Sequence, residues 1–350
     1  MWKLASHPHL RPYCIAAMSS KYAVAHSSAK LNGPGDERPT AQKNVDDNNL
    51  SGKLMGKVAL ITGCSSGIGI ETARAMKSTG ATIYVTVRDV AKGQPALADI
   101  LEPGKVELLT CDQNSLTSVE AAAKAFLSKS AILNILINNA GIMAVPKREL
   151  TQDGHESQFG VNHLAHFLLF QRLKDTLLSS ATTDFPSRVV CVSSSGHRRS
   201  GVHFDDLYLE QDYDPWTAYG QAKTSNIYMA NEIERRYGSR NLHAFSLHPG
   251  GIWTGLQIHM DTSKLKGDPE VERKLKSAEQ GAATSVWAAV DGELVGKGGL
   301  YLEDCQVARP AAEAAKAENG SAGYAEHAYN PEAEGRLWME SCRLLGIQDE

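Results

Sequence analysis

The sequence predicts an α/β fold: a doubly wound parallel sheet in a single domain. Three observations carry this. Apolar runs of strand length alternate with stretches of helix length from residue 57 onward. A glycine-rich turn follows the first run and opens the first helix. After residue 57 there is neither an internal repeat nor a second compositional regime. Alternation of this kind implies parallel strands with helices covering both faces.

The elements follow in order. Val58-Ala59-Leu60-Ile61 is a short apolar run stopped by Thr62-Gly63 and reads as a buried strand. The segment Gly63-Cys64-Ser65-Ser66-Gly67-Ile68-Gly69 leads into a helix, Glu71 to Lys77, closed by Gly80. A β-rich run, 81–87, comes next, so strand, glycine loop, helix and strand form a βαβ unit of the Rossmann type. Glycines there let backbone N–H groups approach a pyrophosphate, and the helix N-terminus adds partial positive charge. The spacing is G-x-x-x-G-x-G, which differs from the general dinucleotide fingerprint. A third strand spans 106–111 and ends at Asp112, and 118–130 reads as a helix. A fourth strand, 133–137, runs into Asn138-Asn139-Ala140-Gly141. From Glu156 to Leu178, Phe159, Leu164, Phe167, Phe170, Leu173 and Leu177 recur at helical spacing. A fifth strand, 188–192, ends in Ser193-Ser194-Ser195-Gly196. Residues 218–236 form a helix, 242–247 a sixth strand, 277–290 a late helix and 299–302 a last strand.

Charge and cysteine usage bound the function. The formal net charge of −4 gives no support to nucleic-acid binding, and no apolar run is long enough for a membrane span. The six cysteines are scattered without a CxxC pair, which fits reduced thiols in place of a disulfide scaffold or metal site. His163 and His166, three apart on a helix, lack a nearby ligating partner and read as structural. The charged run Lys264 to Lys276 reads as a solvated helix face.

The N-terminus has a different character. Met1 to Gly35 carries Lys3, Arg11, Lys21 and Lys30 but no acid. Residues 1–53 are expected as a flexible leader and linker, and 54–350 as the folded domain. The leader admits three readings, an organelle transit peptide, a disordered extension, or a chain whose start is the internal Met18. A cytoplasmic location is expected, with a mitochondrial one as the alternative.

Tyr219 and Lys223 stand at i and i+4 on a predicted helix and share one face. A free tyrosine, with a pKa of about 10, is a poor acid–base catalyst at neutral pH. An ammonium one turn away favours the phenolate and brings it toward the working range. Tyr-x-x-x-Lys alone is a weak signal. Its weight comes from motif order: glycine loop, Asn-Asn-Ala-Gly, Ser-Ser, Tyr-x-x-x-Lys, Pro-Gly.

In that order the chain resembles the short-chain dehydrogenase/reductase family, in particular its retinol-dehydrogenase-like branch. The matching residues are Thr62-Gly63-(x)3-Gly67-Ile68-Gly69, Cys111-Asp112, Asn138-Asn139-Ala140-Gly141 and Val161-Asn162-His163-Leu164. They continue with Val192-Ser193-Ser194, Phe204-Asp205-Asp206-Leu207, Tyr219-x-x-x-Lys223 and His248-Pro249-Gly250. Arg336-Leu337-Trp338 resembles the branch's terminal helix. The resemblance implies that Gly63, Ser65, Gly67, Ile68 and Gly69 hold the cofactor pyrophosphate and adjoining ribose. Asp112 and Gln113 would meet the adenine, and Asn139, Ala140 and Gly141 the central part of the cofactor. Ser194, in preference to Ser193, would polarise the substrate oxygen, and Tyr219 would pass the proton. Lys223 would lower the tyrosine pKa and bind the nicotinamide ribose, with Asn162 completing a water-linked relay. Ile252 and Thr254 would contact the carboxamide.

The end of the second strand holds Val87-Arg88 in place of the acid that selects NAD, so Arg88 argues for NADP(H) over NAD(H), with Asp89 a diluting neighbour. Trp253, Leu256, Ile258 and Met260 suggest an apolar pocket for a small lipophilic carbonyl or alcohol. The absence of an anchor at the chain start counts against a retinoid, which membrane-anchored family members often take. The expected activity is an NADP-dependent interconversion of the two. The alternatives are a dehydratase, isomerase or imine reductase on the same scaffold, or a catalytically silent NADP-binding regulator. Family members often pair through their long helices, which leaves a homodimer open.

Overall fold

Val58–Ile61 (β1) is buried at every position and pairs in parallel with Thr82–Val87 (β2) on one side and Ile135–Asn138 (β4) on the other. Val106–Thr110 (β3) lies outside β2, while Ser187–Val192 (β5), Leu242–His248 (β6) and Leu300–Glu303 (β7) extend the other flank in parallel. A short antiparallel strand, Gln306–Val307 (β8), completes the order β3-β2-β1-β4-β5-β6-β7-β8. The computed structural model describes residues 21–263, 265–316 and 322–349. The single mostly parallel sheet agrees with the predicted doubly wound fold. The strand order reverses between β1 and β4, and in such sheets ligands bind beyond the carboxyl ends of the strands at that switch point.

Helices cover both faces, as the continuous apolar strands require. Ala41–Asp47 (α1), Ile68–Ser78 (α2) and Ala283–Val290 (α8) pack on one face. Leu116–Lys129 (α4), Ala165–Ser180 (α5), Pro215–Tyr237 (α6) and Pro331–Leu345 (α9) cover the other. Val90–Ala96 (α3) follows β2, and Pro269–Lys274 (α7) precedes α8. Asp214 caps α6 through Trp216 N–H at 3.1 Å and Thr217 N–H at 2.7 Å, with Pro215 at the first position. Most of α6 is buried between the sheet and α9, and this holds Tyr219 and Lys223 in a fixed frame.

Four expectations need correction. The stretch Glu156 to Leu178 is not one regular helix, because Gly160–Leu164 forms a π-turn between Ser157–Phe159 and α5. The late helix is broken at Ala282, with Ala278–Gly281 before it and α8 after it. Most importantly, residues 21–53 are not a loose linker. Thr40 caps α1, Val45 and Tyr22 are buried, and Asn44 lies fully buried against α8. Residues 1–20, with Lys3 and Arg11, lie outside the described residues, as does Lys264. The run ending at Lys276 also differs from a solvated face. Lys276 is buried and paired with Asp304 at 2.7 Å.

Among the described residues no helix is long and apolar enough to cross a membrane. Cys64, Cys111, Cys191, Cys305 and Cys342 are free and buried. His163 bonds Ser341 Oγ at 2.8 Å, and His166 bonds Thr62 Oγ1 at 2.9 Å.

Burial pushes His163 down to about 3 and His166 and His197 to about 4, so all three rings are neutral in the fold near pH 7. In the unfolded chain they return to about 6.5. Below that value the unfolded state binds protons that the fold rejects. Stability is therefore complete above the unfolded pKa and falls by about 1.4 kcal/mol per pH unit for each such proton. The urea midpoint is expected to hold from about pH 7 to 8 and to decline steadily between about 6.5 and 4. A midpoint unchanged down to about pH 5 would mean that these rings charge within the fold.

Candidate active site

The glycine turn is built by close approach. Gly63 has φ +73°, and a Cβ there would lie 2.7 Å from Ala140 Cα. A Cβ on Gly69 would lie 2.3 Å from Gly63 O, so the first turn of α2 seats directly on the loop. Gly67 is the N-cap of α2 and brings no side chain to the cap, which leaves the first N–H groups of α2 open toward the cleft.

A buried network fastens this turn to the end of β4. Thr62 Oγ1 accepts from Asn139 N at 2.9 Å and Ala140 N at 3.0 Å. Asn139 Nδ2 donates to Thr62 O at 2.8 Å and Gly63 O at 3.2 Å. His166 Nδ1 lies 3.0 Å from Asn162 O, a carbonyl that can only accept. Nδ1 therefore carries the proton and Nε2 accepts from the Thr62 hydroxyl. From the sequence, His166 reads only as a structural histidine. Its role in joining the glycine turn to the π-turn depends on register in three dimensions and has no sequence signal.

Beyond the ends of β1, β4 and β5 lies a cleft of about 1230 Å³. Gly63, Ser65, Gly67, Ile68, Arg88, Asp112, Gln113, Asn139, Ala140, Gly141, Ser194, Tyr219, Lys223, Ile252 and Thr254 all line it. Gly69 and Asn162 stand behind its wall. Asn162 is fully buried, accepting from Ile142 N at 2.9 Å and donating to Ile142 O at 3.0 Å. Thr254 closes over the glycine turn, since a Cβ on Gly67 would meet its Cγ2 at 3.1 Å.

At the end of β5 the two serines separate in role. Ser193 Oγ is buried and donates to Lys223 O at 2.7 Å. Ser194 is partly exposed in the cleft, and its Oγ accepts from Gly196 N at 3.0 Å. Tyr219 packs against Met143 and Ala144 with Trp216, Leu256 and Met260 around it. Burial pushes its phenol up to about 12, and a hydrogen bond with the Ser194 side chain opposes that rise. Burial also pulls the Lys223 ammonium down to about 8. Lys223 Nζ donates to Val192 O at 3.0 Å and lies 5.6 Å from the Tyr219 ring centroid. The expected depression of the tyrosine by this lysine is not seen in the protein alone: burial dominates, and the group that opposes it is Ser194.

Arg88 is exposed where β2 enters the cleft, and the carboxylate of Asp89 is turned away to cap α3. It accepts from Ala91 N at 2.9 Å and Lys92 N at 3.4 Å. Gln113 Nε2 and Asn139 Oδ1 are buried without a hydrogen-bond partner. Trp253, Leu256, Ile258 and Met260 lie along the wall as expected. The sequence did not signal Met143, Trp216 or Leu275, because separate loops bring them there.

Gly196 gives a direct test of the geometry. A Cβ there would lie 2.7 Å from Tyr219 Cε1 and 3.3 Å from Ser194 Oγ. Gly196→Ala is expected to shift the phenol and lower kcat by about tenfold. Steady-state kinetics beside a thermal melt would check this, and unchanged kcat would show that the ring yields without consequence.

Residues 57–264 match the model of the family described as short chain dehydrogenase. Short-chain dehydrogenase/reductase prx1 of Penicillium roqueforti is 54% identical over 91% of this chain and 93% of its own. Human retinol dehydrogenase 12 is 36% identical over 85% of this chain and 89% of its own. A crystal structure of a putative uncharacterized protein from Mycobacterium paratuberculosis superposes with TM-score 0.63 at 30% identity, covering 84% of this chain and 95% of that one. With the sheet order and the cleft, these likenesses place the chain in the short-chain dehydrogenase/reductase family of nicotinamide-dependent oxidoreductases, in its retinol-dehydrogenase-like branch.

Proposed function

We propose that the protein is an NADP(H)-dependent oxidoreductase that interconverts a carbonyl and an alcohol on a small lipophilic molecule. The observation that carries this reading is the buried Tyr219 phenol, bonded to Ser194, one helical turn from Lys223 and walled by apolar side chains. The cleft suits a dinucleotide on its own features. Its glycine turn has no room for side chains, the α2 N–H groups are open, and Gln113 and Asn139 each hold an unsatisfied buried polar atom.

When bound, the nicotinamide supplies or accepts the hydride. The chain's own groups do the rest. Ser194, freer than Ser193, and Tyr219 hold the substrate oxygen, and the neutral phenol gives it a proton during reduction. Lys223 holds positive charge beside the phenol, and Asn162 fixes the backbone at Ile142 behind it. Met143, Trp216, Leu256 and Met260 exclude water and favour an apolar substrate.

NADPH consumption with a panel of lipophilic ketones tests this reading. Label transfer from deuterated NADPH to an alcohol product is the expected result. Turnover without label would favour a dehydratase or isomerase, and tight NADPH binding without any turnover would favour a silent regulatory protein.

A further inference from the structure

The segment ahead of the sheet fastens one wall of the cleft. Gly33 N–H donates to Arg273 O at 3.0 Å. The Arg38 guanidinium donates to Lys274 O at 2.8 Å and to Leu275 O. Three successive carbonyls at the end of α7 are thus capped from outside their own helix. Such carbonyls have no intrahelical partner and carry negative partial charge, so a guanidinium suits them. Arg38 is only 4% exposed, and its Nε donates to the two Asp36 carboxylate oxygens at 2.8 and 3.0 Å. Gln280 grips the same turn, accepting from Gly35 N at 3.0 Å and donating to Arg38 O at 3.2 Å.

A second tether lies at the base of that wall. Lys276 Nζ donates to Asp304 at 2.7 Å and to Pro249 O at 3.3 Å, and its backbone N–H donates to Gly251 O at 2.8 Å. The other partner of Asp304 is His26, at 3.2 Å, from the same N-terminal segment. Between these anchors the loop has short helical turns and strongly exposed residues such as Ile258. Its inner side supplies Ile252, Trp253, Leu256, Val271 and Leu275 to the cleft. Within the loop, Trp253 Nε1 donates to Glu272 Oε1 at 3.3 Å and Gln257 Nε2 to Ile252 O at 2.8 Å, so its two arms are joined to each other while the N-terminal segment ties them to the rest of the fold.

We propose that residues 21–50 form a strap, with Arg38 as its positioning residue, that holds the loop from Pro249 to Leu275 against the cleft and thereby sets ligand affinity. Release of the strap frees the α7 carbonyls to water and admits open loop arrangements. Apparent affinity then falls in proportion to the competent fraction. The affinity half of this rests on the reading of the cleft given above, whereas the ordering of the loop does not.

The test compares full-length wild type, Arg38→Ala and Arg38→Lys by amide hydrogen exchange and steady-state kinetics. In Arg38→Ala, amides of 251–275 are expected to exchange faster while those of β1, β4, β5 and β6 keep wild-type protection. KM for a ketone is expected to rise about tenfold with kcat unchanged. Arg38→Lys, which keeps the charge but not the fork, should fall between. Unchanged exchange in 251–275, or equal acceleration throughout the sheet, overturns the strap whatever the cleft turns over. Faster loop exchange with unchanged KM overturns its role in affinity while leaving the catalytic reading intact.

Discussion

Replacing Tyr219 with phenylalanine is expected to lower kcat by about 10³-fold, within the range that a positioned proton donor contributes. NADPH affinity and the melting temperature are expected to stay near wild type. The hydroxyl is a small part of a ring that packs against Met143, Ala144 and Trp216, and those contacts survive the change. What disappears is a hydroxyl that is neutral near pH 7 and hydrogen-bonded to the Ser194 side chain in the apolar part of the cleft. Because burial raises this phenol to about 12, the protonated form dominates at neutral pH, and protonated is what carbonyl reduction needs. Alcohol oxidation needs the opposite form. The wild-type reduction rate should therefore be flat from about pH 6.5 to 8 while the oxidation rate climbs with pH, and the variant should lose both trends. Substantial reduction by Tyr219→Phe would assign the proton to another donor.

The residues proposed for catalysis were legible because motif order is a one-dimensional property. Gly63 follows β1 and Ser194 follows β5, while Tyr219 and Lys223 stand one turn apart within α6, and all four line the same cleft. Other features were hidden because their partners are distant in sequence. Arg38 lies in a polar stretch that looks like linker, yet its guanidinium reaches Lys274 and Leu275 across more than two hundred residues. Nothing local marks it, since α1 is short and Asp36-Glu37-Arg38 reads as solvated charge. The π-turn at Gly160–Leu164 was hidden for another reason. Its apolar spacing matches an ordinary helix, and the altered backbone shows in the Ala165 N–H, which donates to Gly160 O five residues back. The tyrosine's upward shift likewise comes from burial that no i, i+4 argument contains.

Changing Arg88 to alanine is expected to raise KM for NADPH by about 30-fold, the scale of one charge-assisted contact to a phosphate. KM for NADH should hardly move, so the cofactor preference narrows by the same factor. The argument rests on what the neighbouring acid does. An acid at this strand end would bond the ribose 2′-OH and repel a 2′-phosphate. Asp89 is near enough in sequence to act that way, but its Oδ1 is engaged by Ala91 N and Lys92 N at the start of α3. Arg88 is left as the charged side chain facing the cleft at the end of β2. It is exposed, so its contribution should be screened by salt, and the gap between wild type and Arg88→Ala should shrink as ionic strength rises toward about 1 M. A purely structural role predicts a different pattern, with both cofactors losing affinity together and no dependence on salt. Cofactor kinetics at two salt concentrations therefore separate recognition of the 2′-phosphate from a general loosening of the β2 edge.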